Sequence, residues 1–177
     1  DGVRHINDIL KRSRKLIMER RLKFWGWGFE DEVVPESEVQ WMESTWAKRF
    51  GVSGFGLTPT PSAQEIALPA PRITPPPSLA GICTTDHYER VLHSYSKSFP
   101  DIIRVYRRDC PAPVDVVALP RTEQDIVDLL DWCYRSDAVV VPFGGGSSVV
   151  GGVTPPTTGN HKAVVSIDMR RLDPVLE

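Results

Sequence analysis

Val139-Val140-Val141-Pro142-Phe143-Gly144-Gly145-Gly146-Ser147-Ser148-Val149-Val150-Gly151-Gly152 carries a β-branched run straight into three consecutive glycines and two hydroxyls. The valines read as a strand and the glycines as the loop it delivers. Without a Cβ, a glycine backbone reaches positive φ and comes close to a ligand, and successive N–H groups in such a turn form a nest for phosphate oxygens. A diphosphate suits such a loop; the competing reading is a glycine-rich surface turn with no ligand.

Two common nucleotide loops fail against these residues. A Walker A loop needs a Lys after its glycine to reach the β- and γ-phosphates, and no Lys lies between Val139 and Asn160. A Rossmann fingerprint needs G-x-G-x-x-G opening a helix. Here Val149 takes the third glycine position, and Gly151, Gly152, Pro155 and Pro156 forbid a helix soon after.

The flanks supply the fold. Val114 to Pro120 reads as a strand, Thr122 as the N-cap of a helix through Arg135, and Ile126, Leu129, Leu130 and Cys133 as its buried face. A later strand, Ala163 to Ile167, precedes a turn-like Asp168 to Pro174. The order β-α-β-loop-β predicts an α/β layer with the glycine loop at the carboxyl end of a strand, where open sheets bind ligands.

On these residues, the run from Pro113 to Glu177 resembles the start of the FAD-binding domain of the vanillyl-alcohol oxidase type, also called the PCMH-type flavin domain. The shared pattern is a strand ending in Pro, a helix opening Thr-Glu-x-Asp, a strand into P-x-G-G-G-S-S, and a strand with Asp before an Arg- and Leu-bearing turn. Upstream, Lys23-Phe24-Trp25-Gly26-Trp27-Gly28-Phe29 resembles the K-x-x-G-W-G motif of the ether-lipid branch, the alkyldihydroxyacetonephosphate synthases. The resemblance implies an α/β (α+β) fold: the first subdomain of a PCMH-type FAD-binding domain, preceded by a helical and Pro-rich arm. It implies that Pro142, Phe143, Gly144, Gly145, Gly146, Ser147 and Ser148 wrap the FAD pyrophosphate, the glycines through main-chain N–H groups and the serines through hydroxyls. Some relatives attach flavin through a His in this loop; no His lies between His93 and His161, so dissociable FAD is expected.

The family reaction exchanges the acyl chain of acyl-dihydroxyacetone phosphate for a fatty alcohol, with no net redox change at the flavin. A D-2-hydroxy-acid or alcohol oxidoreductase of the same fold is the alternative enzyme, and a non-catalytic assembly module the alternative outside enzymes. A His cluster downstream would favour the synthase, and a colourless full-length protein would favour the module. The catalytic groups, the second flavin subdomain and the substrate-holding cap are expected beyond Glu177. A small-molecule lipid substrate, a homo-oligomer and peripheral membrane association are further expectations.

Composition bounds the rest. A net charge of −2 argues against a nucleic-acid partner. Cys83, Cys110 and Cys133 are odd in number and widely spaced, which argues against disulfides and zinc and for a reducing compartment, the cytoplasm or, in a eukaryote, the peroxisome. No metal site is expected. Residues 1–58 read as a Trp-rich helical arm, with one basic amphipathic helix over Ile6–Leu22 and a second over Glu38–Phe50. In this arm Trp25, Trp27, Trp41 and Trp46 suggest packing onto a larger body. Residues 59–80 read as a Pro-rich extended tether, 81–112 as a helix and connecting segment, and 113–177 as the flavin unit. Asp86–Ser98 is predicted helical, with His87 and His93 as surface or half-buried residues lacking a catalytic partner. Asp101–Arg108 is predicted to be a strand edge and turn with solvated arginines.

Overall fold

A computed structural model describes residues 20–172, which form two compact units: residues 20–23 with 27–59, and residues 24–26 with 60–172. The expected helix over Ile6–Leu22 lies almost wholly outside the described residues.

In the first unit, Leu22 and Phe29 form an antiparallel bridge, and Arg20 pairs with Asp31 at 2.6 Å and with Glu32 at 3.0 Å. Helix α1, Glu36–Phe50, opens on Glu36 and Glu38 and closes on Lys48 and Arg49, charges that complement its dipole. Gly51, left-handed at φ 68°, ends it. Trp46 stacks on Phe50 and Phe50 meets Phe55 edge-on, yet Trp27, Trp41 and Trp46 remain 59%, 67% and 46% exposed, so their aromatic surface is mostly uncovered among the described residues.

The second unit is built on a four-stranded sheet. Its elements are β1 (Cys83–Thr84), α2 (His87–His93), α3 (Phe99–Arg107), β2 (Val116–Ala118), α4 (Glu123–Arg135), β3 (Ala138–Phe143) and β4 (Ala163–Asp168). The strand order is β1-β2-β4-β3, with β2, β4 and β3 parallel and β1 antiparallel at one edge. The last strand in sequence thus slots between the two that α4 connects. Paired on both sides, β4 is buried along its whole length, its polar Ser166 and Asp168 included, as a central strand of a parallel sheet should be.

Thr122 and Asp125 cap α4 reciprocally, side chain to backbone in both directions. Leu129, Trp132 and Cys133 are buried and pack with Leu79, Val116 and Ile167 into the core. The face differs from the expected Ile126, Leu129, Leu130 and Cys133: Ile126 is half-buried, Leu130 is 46% exposed and Trp132 is buried in its place, because the buried stripe follows the turn at 129, 132 and 133.

Two further expectations are corrected. The helix predicted over Asp86–Ser98 stops at His93, and Asp101–Arg108 is a helix rather than a strand edge. Ser98 decides both: its hydroxyl accepts from the Asp101 N–H and, with Pro100 in the first turn, starts α3. Strand β1, absent from the sequence reading, is two residues long and too short for a periodic signal.

The proline-rich residues 60–80 run over this unit with two short 3₁₀ turns, Ala63–Glu65 and Pro77–Leu79. They are pinned at the amino end of the sheet. Buried Asp115 accepts from the Arg72 guanidinium at 2.7 Å, from its N–H at 2.8 Å and from the Val164 N–H at 2.7 Å.

Candidate flavin-binding loop

Strand β3 ends at Phe143, and the register Phe143↔Asp168 sets the loop mouth directly beside the end of β4. The loop is exposed at Pro142, Gly144, Gly145 and Ser147, and half-buried at Ser148. A Cβ built on Gly144 or Gly145 would meet nothing within 4 Å, so open space lies above both. Gly146 is the opposite: it is buried, φ is 65°, and a Cβ there would lie 2.4 Å from Phe143 Cζ. Of the three glycines, then, only Gly146 is fixed by the fold itself. The N–H groups of Gly145, Gly146 and Ser147 have no backbone acceptor among the described residues.

Phe143 is a floor. Its ring is 1% exposed, lies beneath Gly146, and has the His93 ring 4.1 Å away and the Arg170 guanidinium 5.9 Å from its centroid. It therefore supports the loop and offers a ligand no side-chain contact of its own. The two side chains beside it share an anchor. His93 Nε2 lies 3.1 Å from Asp168 Oδ2, and Arg170 donates to both oxygens of the same carboxylate. Burial by itself would raise the Asp168 carboxyl, but the hydrogen bonds from His93 and Arg170 outweigh it and hold the group at about 2.

His93 is fully buried, with Nδ1 2.7 Å from the Glu89 carbonyl oxygen. The expectation of a surface or half-buried His93 is thus overturned: it is fully buried, and β4 brings Asp168 to it from 75 residues away. His87 is half-buried, with Nε2 2.9 Å from the Ala63 oxygen. Next to His93, one carboxylate oxygen of Glu89 is buried without a hydrogen bond.

The far side of the loop is tied to the segment between α2 and α3. The Lys97 N–H donates to the Ser148 oxygen at 2.7 Å, and the Gly152 N–H donates to Ser148 Oγ at 2.8 Å. Thr154 donates its hydroxyl to buried Asp101 at 2.6 Å, and Asp101 also accepts from the Ser96 N–H at 2.9 Å and Arg104 at 2.9 Å. Burial raises the Asp101 carboxyl, and these donors together more than reverse it. Arg104 and Arg108 are therefore in ion pairs, the latter with Glu65 at 2.7 Å, not merely solvated.

Sequence reasoning missed His93, Lys97, Asp101 and Arg170. The run His93-Ser94-Tyr95-Ser96-Lys97-Ser98 looks like polar helix surface, yet every member is buried. A signal was present in Ser98 followed by Pro100 and Asp101, an N-terminal signature that forces a break before it. Two clefts, of about 350 Å³ beside β1 and about 310 Å³ lined in part by Arg72, Pro113 and His161, include none of residues 142–148. The loop is an open cradle rather than an enclosed pocket.

An α/β sheet with a glycine loop of open backbone donors at a strand's carboxyl end is an arrangement that suits a nucleotide cofactor, and residues 114–177 match the family model described as FAD binding domain. The loop fits such a group: space above Gly144 and Gly145, unpaired donors, and no side chain in the way. Over about half of this chain, the sequence is 41% identical to the alkyldihydroxyacetonephosphate synthase of Trypanosoma brucei brucei, 35% to that of Dictyostelium discoideum and 30% to that of Caenorhabditis elegans. The matched part spans about 15% of the length of these curated relatives. A solved alkyldihydroxyacetonephosphate synthase superposes on 88% of the chain and 34% of its own, with a TM-score of 0.69 and 26% identity; a second, at 24% identity and the same TM-score, shows the shared fold. Over these residues the chain is similar to FAD-binding domains and to the alkyldihydroxyacetonephosphate synthases, and the matched domain indicates FAD as its cofactor.

Proposed function

We propose that the loop Pro142–Ser148 holds the diphosphate of dissociable FAD, and that the full-length protein exchanges the acyl chain of acyl-dihydroxyacetone phosphate for a fatty alcohol. The observation that carries the first part is the contrast within the triple glycine. Gly144 and Gly145 face open space and need no glycine for the fold's sake, so their lack of side chains is explained by something that comes close from outside. The main-chain N–H groups of Gly145, Gly146 and Ser147 would donate to phosphate oxygens, and the exposed Ser147 hydroxyl would add a bond. Ser148 has its oxygen occupied by the Gly152 N–H and keeps its own proton to donate.

When bound, the flavin supplies the electron-accepting ring system that the reaction needs; this chain's residues contribute its placement. Phe143 fixes the height of the loop, Asp168 fixes His93 and Arg170 beside Phe143, and α3 fixes the loop's far end through Thr154. The second part rests on the similarity to the synthases over the aligned half of the chain. A lipid substrate, homo-oligomerisation and peripheral membrane contact belong to the same proposal. The test is to purify the full-length protein, record its visible flavin absorbance, and incubate it with acyl-dihydroxyacetone phosphate and a radiolabelled fatty alcohol. Yellow protein and labelled alkyl product are expected. Flavin with oxidation of a 2-hydroxy acid in place of exchange would assign the protein to the oxidoreductase branch.

A further inference from the structure

Four ionisable side chains gather at Phe143, the ring beneath Gly146, and the diphosphate site as so far described makes no use of their charges. His93 and Glu89 come from α2, Asp168 from the end of β4 and Arg170 from the turn that follows it. Each nitrogen of the fully buried His93 ring meets an oxygen that can only accept: Nδ1 the Glu89 carbonyl at 2.7 Å, and Nε2 the Asp168 carboxylate at 3.1 Å. Asp168 is held at about 2 and is ionised at neutral pH, so it has no proton to give to that bond. Both ring nitrogens therefore donate, and only the imidazolium does so. A carboxylate oxygen of Glu89, buried and without a hydrogen bond among the described residues, lies 3.7 Å from Nδ1 and adds a second negative neighbour.

Counted as formal charges, His93 and Arg170 then balance Asp168 and Glu89. Removing the ring proton leaves this group with an excess negative charge, behind a loop that has to take up a diphosphate, and it deprives His93 of one of its two hydrogen bonds. A ring released from Asp168 or from the Glu89 carbonyl no longer fixes Phe143, whose centroid is 4.1 Å away. Gly146 rests on Phe143 at φ 65°, and its N–H is one of the loop's open donors.

We propose that His93 is a positioning residue of the flavin site: as an imidazolium between Asp168 and the Glu89 carbonyl, it holds Phe143 under Gly146 and keeps the buried cluster neutral, so that protonation of His93 and binding of the flavin diphosphate favour one another. This rests on the loop's being the FAD site. By linkage, bound FAD raises the pH at which His93 loses its proton, and affinity is full below the flavin-free midpoint and falls as the pH rises toward the flavin-bound one.

The experiment isotope-labels the histidines of the full-length protein and follows the His93 ring by NMR, assigned through its contact with Phe143, with and without FAD over about pH 5.5 to 9.5. FAD dissociation constants are measured over the same range for wild type and His93→Gln. FAD is expected to raise the His93 midpoint by about 0.7 to 1 pH unit, and wild-type affinity to weaken across that interval by the matching factor of about 5 to 10. His93→Gln, which can still donate to Asp168 but cannot be charged, should bind at the weaker, high-pH level of wild type with no change across the interval. A His93 midpoint unmoved by FAD overturns the proposal, and so does a His93→Gln protein that keeps wild-type affinity and pH profile. Where His93→Gln does not fold, the wild-type NMR comparison decides alone. A wild-type protein that binds no FAD at any pH brings down the loop assignment itself, whereas FAD binding with an unmoved His93 midpoint leaves that assignment standing and removes His93 from it.

Discussion

Gly145 and Gly146 are neighbours with opposite obligations. Gly145→Val places a branched side chain in space the fold leaves empty, at a backbone without positive φ, so the protein should melt as wild type while losing its flavin absorbance on gel filtration. Gly146→Ala instead forces an L-residue into the left-handed region and against buried Phe143, which should cost about 2 kcal/mol or more in urea unfolding of the flavin-free protein. Equal flavin retention by Gly145→Val and wild type would sink the loop assignment. Asp168 makes a claim on pH. Its folded carboxyl sits at about 2, below the roughly 3.9 of an unfolded Asp, so between those values the unfolded chain binds more protons. Its stabilisation, roughly 2 kcal/mol, is therefore present above about pH 4 and lost as the pH falls toward 2. Urea unfolding at a series of pH values should show a shallower acid loss for Asp168→Asn, and an identical acid limb would remove Asp168 from this account.

At the scale of elements, what was legible in the sequence was whatever had a local cause. Thr122 and Asp125 announce α4, and three valines in a row announce β3, because capping and period act within a few residues. The connection from α2 to α3 was illegible because its residues answer to distant partners: His93 to Asp168, Lys97 to Ser148, Asp101 to Thr154. Their burial reads as polar surface until the sheet brings the partners in. The same pattern predicts where the loop can be loosened without touching a ligand donor. Thr154→Val keeps the shape but removes the hydroxyl from buried Asp101, which retains Ser96 and Arg104 as donors. Global stability should fall by about 1–3 kcal/mol. Amide exchange should show faster opening across residues 144–154 than across α4; uniform opening of both would mean that Thr154 holds the whole unit rather than the loop.

At the scale of the molecule, β4 could not be placed from sequence, since nothing local in Ala163–Asp168 says that it lies between β2 and β3. That placement matters more than any single residue, because it sets Asp168 opposite Phe143 and so builds the support for the loop. On the proposed reading the described residues supply a diphosphate cradle and its buttress, and the solved synthase they superpose on is about three times as long by the share covered. The loop's exposed Val149 and Val150 present apolar surface at 58% and 89% exposure. The first unit adds Trp27, Trp41 and Phe50, all more than half exposed. The 177-residue chain alone should therefore grip FAD only by its diphosphate, with a dissociation constant weaker than micromolar, and should self-associate through its apolar surface. Titrating FAD by fluorescence quenching while following mass by light scattering checks both halves. If a well-behaved monomer binds FAD at micromolar or tighter concentration, then the loop and the Phe143 floor suffice for flavin binding, and the ring needs no enclosure from elsewhere.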